Sequence, residues 1–121
     1  MGHILIIDDD PDIRDLVSIY LEGAGHSVTH AENGQAGIDL AREYRPDLLI
    51  LDINMPVMDG TRVMQILRGA SETAKVPVIA LSAMATSDMR DDMYQLGCDA
   101  YVVKPIDFAV LMNNVEKLIS P

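Results

Sequence analysis

The chain has 121 residues, which suits one compact domain, and 49% of them are hydrophobic, which is enough to build a core. Its formal net charge of −10 argues against nucleic acid or an anionic membrane surface as a direct partner. The one cysteine, Cys98, excludes an internal disulfide. No signal peptide and no bilayer-spanning run is visible, so we expect a single cytoplasmic domain over residues 1–121.

Apolar runs alternate with segments of helical periodicity along the whole chain. Ile4 to Ile7 and Leu48 to Leu51 are continuously apolar, which predicts strands that are buried on both faces. The run from Val28 to Ala31 is more polar, as an edge strand would be. The predicted strands are 4–7, 28–31, 48–52, 77–82 and 100–103.

Capping residues predict where five helices begin and end. Asp10 and Pro11 suit an N-cap and a first helical position. Ser87 is expected to cap the fourth helix, which ends near Gly97. The remaining helices are predicted to start at Asn33-Gly34, after Gly60 and after Asp107.

Five strands alternating with five helices predict an α/β fold with a parallel sheet, helices on both faces and right-handed crossovers. The most apolar strands should be central and the second should be an edge. The order 2-1-3-4-5 of a flavodoxin-like doubly wound sheet satisfies this. It places the switch point between strands one and three, where ligands bind at the carboxyl ends of strands.

Polar side chains follow several of these strands, and all of them should lie at one edge of the sheet. Asp8 and Asp9 follow the first strand, Asp52 ends the third, Ser82 ends the fourth and Lys104 follows the fifth. Carboxylates that converge repel each other, and a hard divalent cation relieves that repulsion. Oxygen-only ligands next to a phosphate favour Mg²⁺.

This constellation predicts a phosphoryl-transfer site in which Asp52 attacks phosphorus. The metal and Lys104 would neutralise the phosphoryl oxygens, and Ser82 would donate a hydrogen bond. Each residue alone also has a structural interpretation: Asp10 as a cap, Ser82 as an ordinary strand-end serine, Lys104 as a surface lysine. Their joint arrival at one edge favours the functional interpretation.

The chain resembles a receiver domain of a two-component response regulator, of the single-domain chemotaxis-regulator type. The resemblance runs from Ile4 to Ile119. It rests on the motifs Ile7-Asp8-Asp9, 47–60 with Asp52 inside it, Ala80-Leu81-Ser82-Ala83 and Tyr101-Val102-Val103-Lys104-Pro105.

The resemblance implies a role for each acidic residue. Asp52 would be the phosphoacceptor, taking phosphate from the phosphohistidine of a histidine kinase or phosphotransferase. Asp9 and Asp52 would bind Mg²⁺ directly, Asp8 largely through water, and Asn54 through its backbone carbonyl. The domain would be a switch rather than an enzyme, with slow self-dephosphorylation.

The resemblance also implies a switch toward a partner. Lys104 would bind phosphate, and its bond to Pro105 would be cis. Ser82 would be the switch hydroxyl, and Tyr101 the aromatic that moves inward with it. The fourth helix, fifth strand and fifth helix would then present a changed surface to a downstream protein. Apart from the resemblance, the apolar side chain of Met84, two residues past Ser82, should hinder an attacking water and give the phosphoryl group a longer lifetime than an acidic or amide residue there would.

Two other functions remain open at this stage. The opening Ile4 to Asp10 also fits a haloacid-dehalogenase-type phosphatase, in which Asp8 would be the nucleophile and Asp10 the general acid. A nucleotide- or flavin-binding module is allowed by the fold, but no G-x-G-x-x-G and no Walker A motif is present. We favour a free-standing receiver over one that is part of a longer regulator or hybrid kinase.

Overall fold

A computed structural model describes residues 2–56, 58–84 and 86–119. Its strands are β1 (His3–Ile7), β2 (Ser27–Ala31), β3 (Leu48–Asp52), β4 (Val78–Ser82) and β5 (Ala100–Val103). Its helices are α1 (Pro11–Gly23), α2 (Gly34–Tyr44), α3 (Gly60–Gly69), α4 (Ser87–Gln95) and α5 (Phe108–Ile119). The strands are all parallel and lie in the order β2-β1-β3-β4-β5, so the predicted flavodoxin-like architecture is confirmed.

Both faces of the sheet are buried because alternate residues of each strand point to opposite sides. Leu5 and Ile7 belong to a core layer that α2, α3 and α4 cover. Ile4 and Ile6 belong to a second layer that α1 and α5 cover. The continuous apolar runs of the sequence are explained by these two layers, and β2 lies at the edge as its polarity predicted.

The helix starts follow the capping chemistry of the sequence, with one correction. The side chain of Asp10 accepts a hydrogen bond from the Asp12 N–H, and Pro11 is the first residue of α1. Ser87 is not the cap of α4 as expected, because Thr86 has the extended backbone of a cap and its side chain accepts from the N–H of Met89. Ser87 is therefore the first residue inside the helix.

The strand bounds also differ slightly from the expectation. β4 begins at Val78 rather than Pro77, because proline has no N–H to give to a neighbouring strand. The Pro77 carbonyl still accepts from the N–H of Leu49, at 2.9 Å. β1 begins one residue earlier than predicted, at His3.

Two sets of close contacts fix helix positions, one between α2 and β1 and one between α3 and two loops. Gly37 lets α2 approach β1 so closely that an added Cβ would lie 2.6 Å from Cγ1 of Ile7. Arg68 of α3 donates to the carbonyl oxygens of two loops, which are those of Thr73, Ala74, Val76 and Gly97.

Among the described residues, no helix has both the length and the apolar character needed to cross a membrane.

Candidate functional site at the carboxyl edge of the sheet

The central feature of the carboxyl edge is a cluster of three carboxylates. β1 and β3 pair with Ile7 opposite Leu51, which brings the residues that follow them, Asp8 and Asp52, side by side. Asp8, Asp9 and Asp52 each offer a carboxylate oxygen, and these oxygens lie within 4.8 Å of one another. Asp8 is 0% exposed and Asp52 is 2% exposed, whereas Asp9 is open to solvent. The cluster therefore consists of two buried carboxylates and one exposed carboxylate.

Lys104 is the cation that contacts this cluster. Its Nζ lies 3.2 Å from Oδ2 of Asp8 and 3.4 Å from Oδ2 of Asp52. The Lys104 backbone N–H donates to the carbonyl of Ser82 at 2.7 Å, which continues the pairing of β4 and β5 beyond the last strand residue. The peptide bond between Lys104 and Pro105 is cis, as the family resemblance implies.

Burial and mutual repulsion set the electrostatics of the site. The pKa of Asp8 is raised from its ordinary 3.8 to about 6, mainly by burial and to a smaller extent by the charge of Asp52. A hydrogen bond from the N–H of Asp10 and the charge of Lys104 oppose that rise. For Lys104, burial alone would lower the pKa, but the carboxylates of Asp8 and Asp52 outweigh burial and raise it. The three carboxylates carry more negative charge than Lys104 neutralises, which favours the binding of a further cation.

The donor set fits Mg²⁺. All three side chains offer hard carboxylate oxygens, and no softer nitrogen or sulfur ligand belongs to the cluster among the described residues. Three carboxylates facing one lysine leave negative charge that a divalent ion would neutralise. The exposed position of Asp9 leaves this side of the site open to solvent.

Asn54 connects the cluster to the end of β4. Its backbone N–H donates to Oδ1 of Asp52 at 2.9 Å. Its side-chain oxygen accepts from the hydroxyl of Ser82 at 3.2 Å and from the N–H of Ala83 at 2.9 Å. The family resemblance implied a role only for the backbone carbonyl of Asn54, and nothing in the sequence pattern predicted these side-chain hydrogen bonds.

Tyr101 lies one step further from the carboxylates. Its hydroxyl donates to the backbone carbonyl of Met84 at 2.8 Å, and the Met84 N–H donates to Oγ of Ser82 at 2.9 Å. The guanidinium carbon of Arg90, on α4, lies 5.6 Å from the centre of the Tyr101 ring. Tyr101 thus reaches the site through the loop that follows β4, and Arg90 is a contact that the sequence did not indicate.

Arg14 is a further residue that sequence reasoning missed. Its Nη1 donates to the backbone carbonyl of Asp8 at 2.7 Å, so a side chain of α1 holds the main chain at the end of β1. The spacing of six residues is compatible with many surface arginines and gave no signal of its own.

The phosphatase hypothesis is not supported. Asp10, its required general acid, caps α1 by accepting from the N–H of Asp12. Asp10 is also not among the three carboxylates that converge, whereas Asp52, which the phosphatase hypothesis leaves unused, is one of them.

Comparison with known proteins gives one consistent result. Residues 4–116 match the family described as response regulator receiver domain. The chain is 43% identical over 119 residues to the DNA-binding dual master transcriptional regulator RpaA of Synechocystis, covering 98% of this chain and 49% of that protein. It is 33% identical over 113 residues to the polar-differentiation response regulator DivK of Brucella anthropi, covering 93% and 92%. The chain thus spans about half of the first relative and nearly all of the second.

Solved structures agree with the sequence relatives. The receiver domain of a sensor histidine kinase of Pseudomonas aeruginosa superposes with a TM-score of 0.90 at 28% identity, covering 99% of this chain and 98% of that one. That structure is described with a magnesium ion coordinated in its active site cleft.

Proposed function

The chain belongs to the family of response regulator receiver domains, the signalling switches of two-component phosphorelays, and we propose that Asp52 is its phosphoacceptor. The observation that carries this proposal is the position of the Asp52 carboxylate. It is buried at the end of β3, 3.4 Å from the Lys104 ammonium and beside two further carboxylates. A nucleophile with a fixed cation next to it is what in-line phosphoryl transfer requires.

The chemistry follows from the residues around Asp52. A carboxylate oxygen of Asp52 forms a bond to the phosphorus of a phosphohistidine while the phosphorus–nitrogen bond breaks, and the imidazole leaves with that electron pair. Lys104, held by Asp8 and Asp52, would neutralise the equatorial phosphoryl oxygens. The hydroxyl of Ser82 would donate a hydrogen bond to one of those oxygens.

We propose that Mg²⁺ is the resident metal. Asp8, Asp9 and Asp52 would hold it together with the backbone carbonyl of Asn54, and the magnesium ion in the Pseudomonas relative supports this assignment. When bound, the ion would supply positive charge that offsets the acidic cluster and the incoming phosphoryl group.

The proposed partners are proteins. The phosphoryl donor would be a histidine kinase or a histidine phosphotransferase, and the output would be a partner that reads α4, β5 and α5. With a net charge of −10, the domain itself would repel nucleic acid. Because relatives include DNA-binding regulators of about twice this length, the absence of direct nucleic-acid contact stays a prediction, as do the cytoplasmic location and the free-standing form.

Acyl-phosphate labelling tests the proposal. The protein would be incubated with Mg²⁺ and acetyl phosphate, and its intact mass measured. We expect one added phosphoryl group in the wild type, none in Asp52→Asn and none when EDTA replaces Mg²⁺. Asp59→Asn is a matched control, because Asp59 is an exposed helix cap that does not belong to the three-carboxylate cluster, and asparagine caps helices equally well. Labelling that persists in Asp52→Asn would refute the assignment.

A further inference from the structure

The side-chain carboxamide of Asn54 accepts the hydrogen bond of the Ser82 hydroxyl, the same hydroxyl that the proposed switch needs. Its Oδ1 accepts from Oγ of Ser82 at 3.2 Å and from the N–H of Ala83 at 2.9 Å. A backbone N–H can only donate, so the Ala83 contact fixes which end of the carboxamide faces the loop. Oγ of Ser82 in turn accepts from the N–H of Met84, which leaves its own proton for Asn54.

We propose that the Asn54 side chain is a latch that holds Ser82 and the start of the β4–α4 loop in the unphosphorylated arrangement. This inference rests on the proposed function of Asp52. A serine hydroxyl has one proton, so Ser82 cannot donate to Asn54 and to a phosphoryl oxygen on Asp52 at the same time. Phosphorylation must therefore break the bond between Ser82 and Asn54.

The latch is tied to the phosphoacceptor at one end and to the output surface at the other. The backbone N–H of Asn54 donates to Oδ1 of Asp52 at 2.9 Å, so the residue that carries the latch also contacts the phosphoacceptor carboxylate. Beyond Ser82, the loop carries Met84, whose carbonyl accepts from the Tyr101 hydroxyl at 2.8 Å. Release of Ser82 by Asn54 would free the part of the loop that positions Tyr101.

Removing the latch should favour the switched arrangement. In Asn54→Ala the backbone carbonyl is kept, but Ser82 no longer has to leave an amide oxygen before it meets a phosphoryl oxygen. Loss of one such competing hydrogen bond corresponds to roughly a threefold to tenfold change in an equilibrium constant. Asn54 is an exposed residue after β3, so the substitution leaves no cavity in the core.

The first experiment is a double-mutant cycle with beryllium fluoride as the phosphoryl analogue, at saturating Mg²⁺, followed by NMR. We expect Asn54→Ala to bind the analogue about threefold to tenfold more tightly than the wild type. In a Ser82→Ala background the same substitution should change the affinity less than it does in the wild type, because only the Ala83 N–H contact of the latch remains. Gln65→Ala, an exposed amide on α3, is the matched control and should leave the affinity unchanged.

The second experiment is amide hydrogen exchange of the unmodified protein. Asn54→Ala should accelerate exchange of the Ala83 N–H about tenfold or more relative to the Ala80 N–H in the centre of β4, while Asn54→Asp, which keeps an acceptor oxygen, should preserve its protection.

The outcomes separate the two proposals. A wild type that binds no beryllium fluoride and takes no phosphoryl group would overturn the proposed function, and the latch with it. A wild type that binds, but in which Asn54→Ala weakens binding or acts equally in both Ser82 backgrounds, would overturn the latch alone. Unchanged exchange at Ala83 in Asn54→Ala would also overturn it.

Discussion

Asp8→Asn should stabilise the metal-free protein above pH 6 while leaving its stability near pH 4 almost unchanged. Burial raises the pKa of Asp8 from its ordinary 3.8 in the unfolded chain to about 6 in the folded protein. Between these two values the folded state binds more protons than the unfolded state, so the free energy of unfolding falls as the pH rises. Above pH 6 the loss is complete, and an asparagine, which cannot ionise, avoids it.

The size of the effect follows from that interval. A pKa raised from 3.8 to about 6 spans about two pH units, and each is worth about 1.4 kcal/mol, which gives about 3 kcal/mol of lost stability in the wild type. For a chain of 121 residues, this corresponds to a melting temperature on the order of 10 °C higher for Asp8→Asn at pH 7.5.

Urea unfolding followed by circular dichroism in EDTA, from pH 4.5 to 8, would measure this difference. Asp91→Asn, which removes an exposed carboxylate on α4, is the control. The gap between its free energy of unfolding and that of the wild type should change much less with pH. Adding Mg²⁺ should narrow the gap, because the ion would stabilise the full carboxylate set more than the variant. A gap of equal size at pH 4.5 and pH 7.5, or a less stable Asp8→Asn at pH 7.5, would refute the reasoning.

Three further predictions concern the packing of Gly60, the clamp that Arg68 forms on the carbonyls of two loops, and the lifetime of the phosphoryl group. Gly60→Ala would overlap the main chain just after β3 and should cost about 1–3 kcal/mol in urea unfolding, whereas Gly23→Ala meets open space and should be neutral or slightly stabilising. Arg68→Met removes hydrogen bonds to four carbonyls and should cost about 3 kcal/mol by the same assay; a loss below 1 kcal/mol would mean that the clamp is not stabilising. Met84 is half-exposed beside Ser82, so Met84→Glu should shorten the half-life of the acyl phosphate severalfold, and an equal or longer half-life would contradict its shielding role.

The fold could be predicted because each strand of the sheet has a distinct environment. Residues 4–7 and 48–51 are apolar at every position, which only a strand covered on both faces requires, and the polar residues of β2 place it at the edge. The cap of α4 was predicted one residue too late, at Ser87 instead of Thr86, because both side chains can cap a helix. The choice between them depends on the backbone angles of the β4–α4 loop, which the local sequence does not determine.

The acidic cluster could also be predicted, because it depends only on topology. Once strands are parallel and β1 lies beside β3, residues that follow them must meet at one edge, and Asp8 and Asp52 do. The contacts of Arg14, Asn54 and Arg90 are different, since each joins residues through a loop or across helices. Such contacts depend on side-chain direction and loop conformation, for which a single sequence carries no periodic signal.

The buried negative charge of the site lowers the stability of the fold, and the same charge would favour the binding of a cation. Burying Asp8 and Asp52 beside Asp9 puts more negative charge at the end of the sheet than Lys104 neutralises, at the expense of folding stability. A cation that binds there gains the interaction energy that the protein lacks without it, so metal binding is favoured by the same burial that raises the pKa of Asp8. A phosphoryl group on Asp52 would then add charge near the Ser82 hydroxyl, whose proton is donated to Asn54 in this structure. Removing the repulsion by Asp8→Asn should therefore give a more stable domain that responds less to Mg²⁺.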